Sequence, residues 1–134
     1  MALGPTAILV DTHILLWTRL APQTLTVGER EILDNASVCL LSVVSLWELA
    51  ILIGRRRLPG GDELFRVPDG FDLVMVSPEH CRALASLPWH HRDPFDRMLV
   101  AQAQVEQVPL LTRDRAMTAY HRHAVIRLPD PAGC

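Results

Sequence analysis

The stretch Ala7-Ile8-Leu9-Val10-Asp11 decides the fold. Four apolar residues, two of them β-branched, end abruptly on a carboxylate. A short unbroken apolar run reads as a strand buried on both faces, as in a parallel sheet. In open sheets of that kind, ligands bind outside the carboxyl ends of the strands. An acid directly after such a run therefore stands where chemistry is done.

Outward from this strand, Leu15-Leu16-Trp17 predicts a short helix. Thr26-Val27-Gly28-Glu29 has capping-box spacing and predicts a helix carrying Ile32 and Leu33. Val38 to Leu41 reads as a second strand closed by Ser42. Ser45-Leu46-Trp47-Glu48 again has capping-box spacing, near the start of a helix running to about Ile53. Gly54 ends it, and Arg55-Arg56-Arg57-Leu58-Pro59-Gly60-Gly61 is a loop. A third strand is expected at Leu73 to Val76, then a helix over Glu79 to Leu87 capped by Ser77 with Pro78 at its first position. Pro88 to Pro94 forms a loop into a helix bearing Phe95, Met98, Leu99 and Val105. Leu110-Leu111 is a short strand ending at Thr112, Asp114 opens a last short helix, and Val125 to Leu128 is a final strand. Alternation of strands and helices predicts an α/β fold with a parallel sheet covered on both faces.

The 134 residues fit one domain over 1–134, and a 49 % hydrophobic content supplies a core without disulfides or a structural metal. A net charge of −2 is not the basic footprint of a protein that grips nucleic acid by charge alone. Divalent cations at an acidic site reverse the local potential, so a nucleic-acid enzyme stays open. All 13 basic residues are arginine; arginine suits bidentate phosphate contacts, but codon bias in a GC-rich genome accounts for the choice. Cys39, Cys81 and Cys134 form no C-x-x-C pair, which argues against a disulfide framework or zinc knuckle. No signal-peptide pattern and no membrane-length apolar stretch is present, so a soluble cytoplasmic protein is expected.

The acids carry the functional signal. Asp11 and Asp114 both lie at or just past strand ends. Glu48 stands among apolar residues of a helix, where a charge is costly unless paired or bound to a metal; reaching back to Ser45 as a capping glutamate is the alternative. Asp93, before Pro94, reads as a helix N-cap, and Asp96 falls in the first helical turn. Asp11, Glu48, Asp96 and Asp114 are thus expected at one edge of one sheet, where they would repel one another and raise their own pKa values. Hard cations such as Mg²⁺ or Mn²⁺ resolve that repulsion. A cation held there lowers the pKa of water and polarises a phosphoryl oxygen, so the inferred reaction is phosphodiester hydrolysis.

Four fragments carry a family resemblance: Leu9-Val10-Asp11-Thr12-His13, Ser42-Val43-Val44-Ser45-Leu46-Trp47-Glu48-Leu49, His91-Arg92-Asp93-Pro94-Phe95-Asp96-Arg97 and Leu111-Thr112-Arg113-Asp114-Arg115. In this order and spacing, over almost the whole chain, the sequence resembles PIN-domain toxins of the VapC type. The resemblance implies a three-layer α/β/α fold with a mainly parallel sheet and Mg²⁺- or Mn²⁺-dependent endoribonuclease activity. It also implies a cognate VapB-like antitoxin and a homodimer. By motif position, Asp11, Glu48, Asp96 and Asp114 are similar to the family's metal-binding catalytic acids. Thr12 and Thr112 match polar positions beside them, and Asp93 belongs to a variant motif.

Arg97 and Arg113 adjoin these acids and are expected to hold a phosphate or pair with them. Arg55 to Arg57 would either guide RNA or form a solvated loop. His90 and His91, adjacent in sequence, are poorly placed to share a zinc ion with Asp93. His13 is expected to pack rather than transfer protons. Trp17, Trp47 and Trp89 read as core or interface rather than a base-stacking platform. A phosphatase-like site on Asp11 would need an acid at the position of His13, and a receiver would need a lysine that the chain lacks. A degenerate, non-catalytic PIN module would be expected to lose acids, and all four are present.

Overall fold

A computed structural model describes residues 7–127. Its centre is a five-stranded sheet in the order β3-β2-β1-β4-β5, comprising β1 (Ile8–Val10), β2 (Cys39–Ser42), β3 (Phe71–Val74), β4 (Leu110–Leu111) and β5 (Ile126–Arg127). Every neighbouring pair is parallel, so the sheet is wholly rather than mainly parallel. The apolar run of β1 takes the central position, paired through Leu9 to Leu40 and Leu110.

Alternation along β1 divides the core. Leu9 packs with Leu99, Val100, Leu110, Met117 and Tyr120 on one face. Ile8 and Val10 pack with Ile14, Leu15, Leu41, Leu49 and Leu111 on the other. Helices α1 (Thr12–Leu20), α2 (Val27–Asn35) and α3 (Val43–Gly54) cover the second face, while α4 (Pro78–Ser86) and α5 (Pro94–Glu106) cover the first. Three layers result, as the resemblance implied.

Most elements begin where local chemistry says they should. Thr26 and Glu29 form both halves of the capping box on α2, and Ser77 caps α4 ahead of Pro78. Two expectations need correction. The third strand lies two residues earlier than Leu73 to Val76, because Gly70 (φ +84°) turns the chain directly into pairing, with Phe71 opposite Cys39. The helix bearing Glu48 opens at Val43 with Ser42 as its cap, whose hydroxyl accepts the Val44 amide at 3.0 Å. Ser45 is therefore inside the helix and Glu48 at its middle, so Glu48 is no capping residue. Leu128 of the expected last strand and Cys134 lie outside the described residues.

One ion pair ties α2 to the loop after β4. Glu29, fully buried, receives Arg113 Nε on Oε2 (2.5 Å) and a terminal guanidinium nitrogen on Oε1 (2.6 Å). Burial pushes the Glu29 carboxyl up, but Arg113 and the Thr26 contacts outweigh it and leave the pKa below its ordinary value. The sign follows directly: the pair stabilises the fold above the unfolded glutamate pKa and is lost as pH falls through the lower folded value. Glu29→Gln is expected to cost about 2 kcal/mol in urea unfolding at pH 7, since Arg113 is one-third exposed and partly screened. The deficit should shrink as pH falls below the ordinary glutamate value towards the lower folded one, where the native glutamate also gains a proton.

Candidate metal centre

Three of the acids line one cavity of about 300 Å³, together with His13, Trp17 and Arg113: these are Asp11, Asp96 and Asp114. Each arrives by a separate route. Asp11 ends β1 and caps α1, its Oδ1 accepting the Ile14 amide at 2.9 Å and its Oδ2 the Thr112 hydroxyl at 2.5 Å. Asp96 occupies the first turn of α5, behind the N-cap Asp93, whose Oδ1 accepts the amides of Phe95 (2.9 Å) and Asp96 (3.2 Å). Asp114 caps the 3₁₀ helix Arg115–Tyr120 by accepting the Ala116 amide at 3.0 Å. Its own amide donates to Thr112 Oγ1 at 3.0 Å. Thr112 thus holds the acid after β1 and the acid after β4 in register.

Glu48 approaches from α3, close enough that its charge acts on Asp96 and that Asp11 acts on it. Its Oε1 is buried without a hydrogen-bond partner. A carboxylate oxygen withdrawn from water and left unpaired is costly unless a cation satisfies it. Thr12 anchors this region by donating to Ser45 Oγ at 2.9 Å, joining α1 to α3.

The electrostatics record the crowding. Burial raises Asp11 despite its hydrogen bonds to Thr112 and Ile14. Burial also raises Glu48, with Asp93 and Asp11 adding to it. Asp96 is pushed up to about 7 by burial and then by Asp93, Asp11 and Glu48. For Asp114 burial acts upward too, but the His91 ring and the Ala116 amide leave it below the usual range. An all-oxygen set with one buried, orphaned carboxylate oxygen fits a hard divalent cation.

The neighbouring residues divide. Arg97 is buried on the far side of its helix turn, donating to the Leu87 carbonyl at 2.9 Å with its guanidinium 3.7 Å over the Trp89 ring. Arg113 lines the cavity, yet its nitrogens reach Glu29 and the Thr24 carbonyl, and it stacks over Trp17 at 4.0 Å. His13 is exposed and packs at an angle on Trp17. Trp47 and Trp89, 63 % and 77 % exposed, are surface rather than core residues. His90 packs against Tyr120 and not beside His91 and Asp93.

Sequence reasoning missed His91 as a member of this site. Its Nε2 lies 3.0 Å from Asp114 Oδ2 and 3.3 Å from Asp96 Oδ2. His91, Asp96 and Asp114 each offer a ligand atom within 4.8 Å of the others. The Tyr120 hydroxyl sets the loop by accepting the His91 amide at 3.0 Å and donating to the Pro88 carbonyl at 3.0 Å. The available signals were its place at the head of the fragment His91 to Arg97 and its spacing two residues before a helix N-cap.

Comparison with known proteins identifies the fold and the family. The PIN domain family profile matches residues 8–122. Ribonuclease VapC22 of Mycobacterium tuberculosis is 28 % identical over 123 residues, covering 88 % of this chain and 94 % of that protein. VapBC2 from Rickettsia felis, solved bound to a DNA fragment from their promoter, superposes with a TM-score of 0.67 at 12 % identity, over 93 % of this chain and all of the other. FitAcB from Neisseria gonorrhoeae gives 0.65 at 20 % identity, over 90 % and 96 %. The structural likenesses establish the fold, and the profile match over most of the length establishes that the chain belongs to the PIN domain family.

Proposed function

We propose that this protein is a Mg²⁺- or Mn²⁺-dependent endoribonuclease, the toxin of a toxin–antitoxin pair neutralised by a VapB-like antitoxin. The observation that carries the reading is the convergence of Asp11, Asp96 and Asp114 on one cavity, with the buried Oε1 of Glu48 beside them. The relative named a ribonuclease, and neighbours solved as toxin–antitoxin complexes, support it. A cytoplasmic homodimer completes the proposal. No described helix is long and apolar enough to cross a membrane, and the exposed Trp47, edge-on to Phe95 at 5.3 Å, offers apolar surface for association.

The roles follow from the positions. Asp11 is the most rigid ligand, fixed on both oxygens by Ile14 and Thr112. Asp96 and Asp114 would complete the cation's carboxylate set, with Glu48 supplying its free oxygen directly or through water. A divalent cation held there supplies charge that lowers the pKa of water and stabilises the phosphoryl oxygens as charge develops on them. Without it, the acids repel a phosphodiester. Thr112 and Thr12 orient acids and neighbouring helices, Asp93 fixes the amide end of α5, Arg113 forms part of the cavity wall, and Arg97 ties α5 to the Leu87 carbonyl.

Cleavage of a mixed cellular RNA pool by antitoxin-free protein tests the proposal. Cleavage is expected with Mg²⁺ or Mn²⁺ and none with chelator. Asp11→Asn should lower the rate by at least about a hundredfold, more than loss of an outer partner of a ligand normally costs. Absence of cleavage from a folded protein with either metal would instead favour a non-catalytic PIN module.

A second expectation concerns pH. Asp96 has its folded pKa raised, so its protonated form favours the fold, and that contribution is lost as pH rises through about 7. Asp11 and Glu48 act with the same sign. In EDTA, the Tm should fall between about pH 5 and pH 8, and saturating Mg²⁺ should remove most of the fall. A Tm insensitive to Mg²⁺ at pH 8 would contradict the cation site.

A further inference from the structure

His91 stands where a cation would. Its Nδ1 accepts the Asp93 backbone amide at 3.1 Å. An amide nitrogen can only donate, so Nδ1 carries the lone pair and the ring proton sits on Nε2. That N–H points between two carboxylates, 3.0 Å from Asp114 Oδ2 and 3.3 Å from Asp96 Oδ2. In this tautomer Nε2 has no lone pair for a metal, so the ring is a donor to the ligands and not itself a ligand. The loop holding it is fixed independently, through the Tyr120 hydroxyl.

We propose that His91 is an internal competitor of the divalent cation, its Nε2–H occupying the Asp96 and Asp114 oxygens that the cation must take. The inference rests on the cation site proposed above. It adds a residue that restrains the crowded acids before metal arrives and is displaced when metal binds. Because a hydrogen bond to a charged carboxylate must be broken for each metal bound, His91 weakens cation affinity while steadying the metal-free protein. A structural role, or direct ligation, would have the opposite sign on affinity.

The test is calorimetric titration with Mn²⁺ of wild type, His91→Ala, His91→Gln and Asp11→Asn. His91→Ala should bind Mn²⁺ about tenfold more tightly, the scale of one lost charge-assisted hydrogen bond. His91→Gln, which retains an N–H donor, should stay near wild type. Affinity unchanged or weakened in a folded His91→Ala, with binding lost in Asp11→Asn, would overturn this inference alone. Binding undiminished in Asp11→Asn would overturn the cation site and the inference with it. Should His91→Ala not fold, wild-type NMR decides. Mg²⁺ should shift the His91 ring resonances and abolish the Nε2–H hydrogen-bond signature, and unmoved resonances would refute displacement.

Discussion

The hydrogen bond from Thr112 to Asp11 joins residues 101 positions apart and locks together the carboxyl ends of the two central strands. Asp11 is nearly buried and its backbone amide also bonds to the Leu111 carbonyl at 3.0 Å. The same Thr112 hydroxyl accepts the Asp114 amide. One small side chain thus sets the spacing of two acids that would otherwise drift apart under their own repulsion. Around it the fold gathers further restraints on negative charge: the first turn of α5 for Asp96, the Ser42-capped helix for Glu48 and the His91 ring for the open side.

This arrangement concentrates charge at one edge while the rest of the chain balances it. The 13 arginines fall two short of the 15 acids, and the two arginines nearest the cavity acids have partners elsewhere. Arg113 binds both oxygens of Glu29, and Arg97 binds the Leu87 carbonyl and lies over Trp89. Burial, with Asp93, Asp11 and Glu48 close by, outweighs the His91 ring and lifts Asp96 to about 7. A site with its carboxylates pre-positioned and under-neutralised is disposed to take up an external divalent charge.

Much of this was legible beforehand. The apolar run into Asp11, the caps at Thr26, Ser77, Asp93 and Asp114, and the half-buried glutamate on α3 are local signals, and local chemistry reads them. Register was harder: β3 is an edge strand with Asp72 and Leu73 exposed, so hydrophobic alternation does not fix its bounds, and Gly70 does. The Ser45–Glu48 spacing imitated a capping box because Ser42 and Ser45 lie three apart, and only the direct passage of β2 into α3 chooses between them. The pairings of Arg97 with Leu87, His91 with Asp114 and Arg113 with Glu29 were invisible because they span 10, 23 and 84 positions of sequence. Of the two readings for Trp47 and Trp89, core or interface, their exposure removes the first, because apolar neighbours in sequence do not imply burial in space.

The central claim is that the carboxylates at this sheet edge form a divalent-cation site. Anomalous diffraction from a crystal of the antitoxin-free protein soaked in Mn²⁺ tests it most directly. The account predicts an anomalous peak among Asp11, Asp96 and Asp114 on the side of Glu48, with the His91 ring withdrawn from Asp114. Mn²⁺ found only elsewhere on the protein, or no bound Mn²⁺ at full occupancy of the soak, would contradict it.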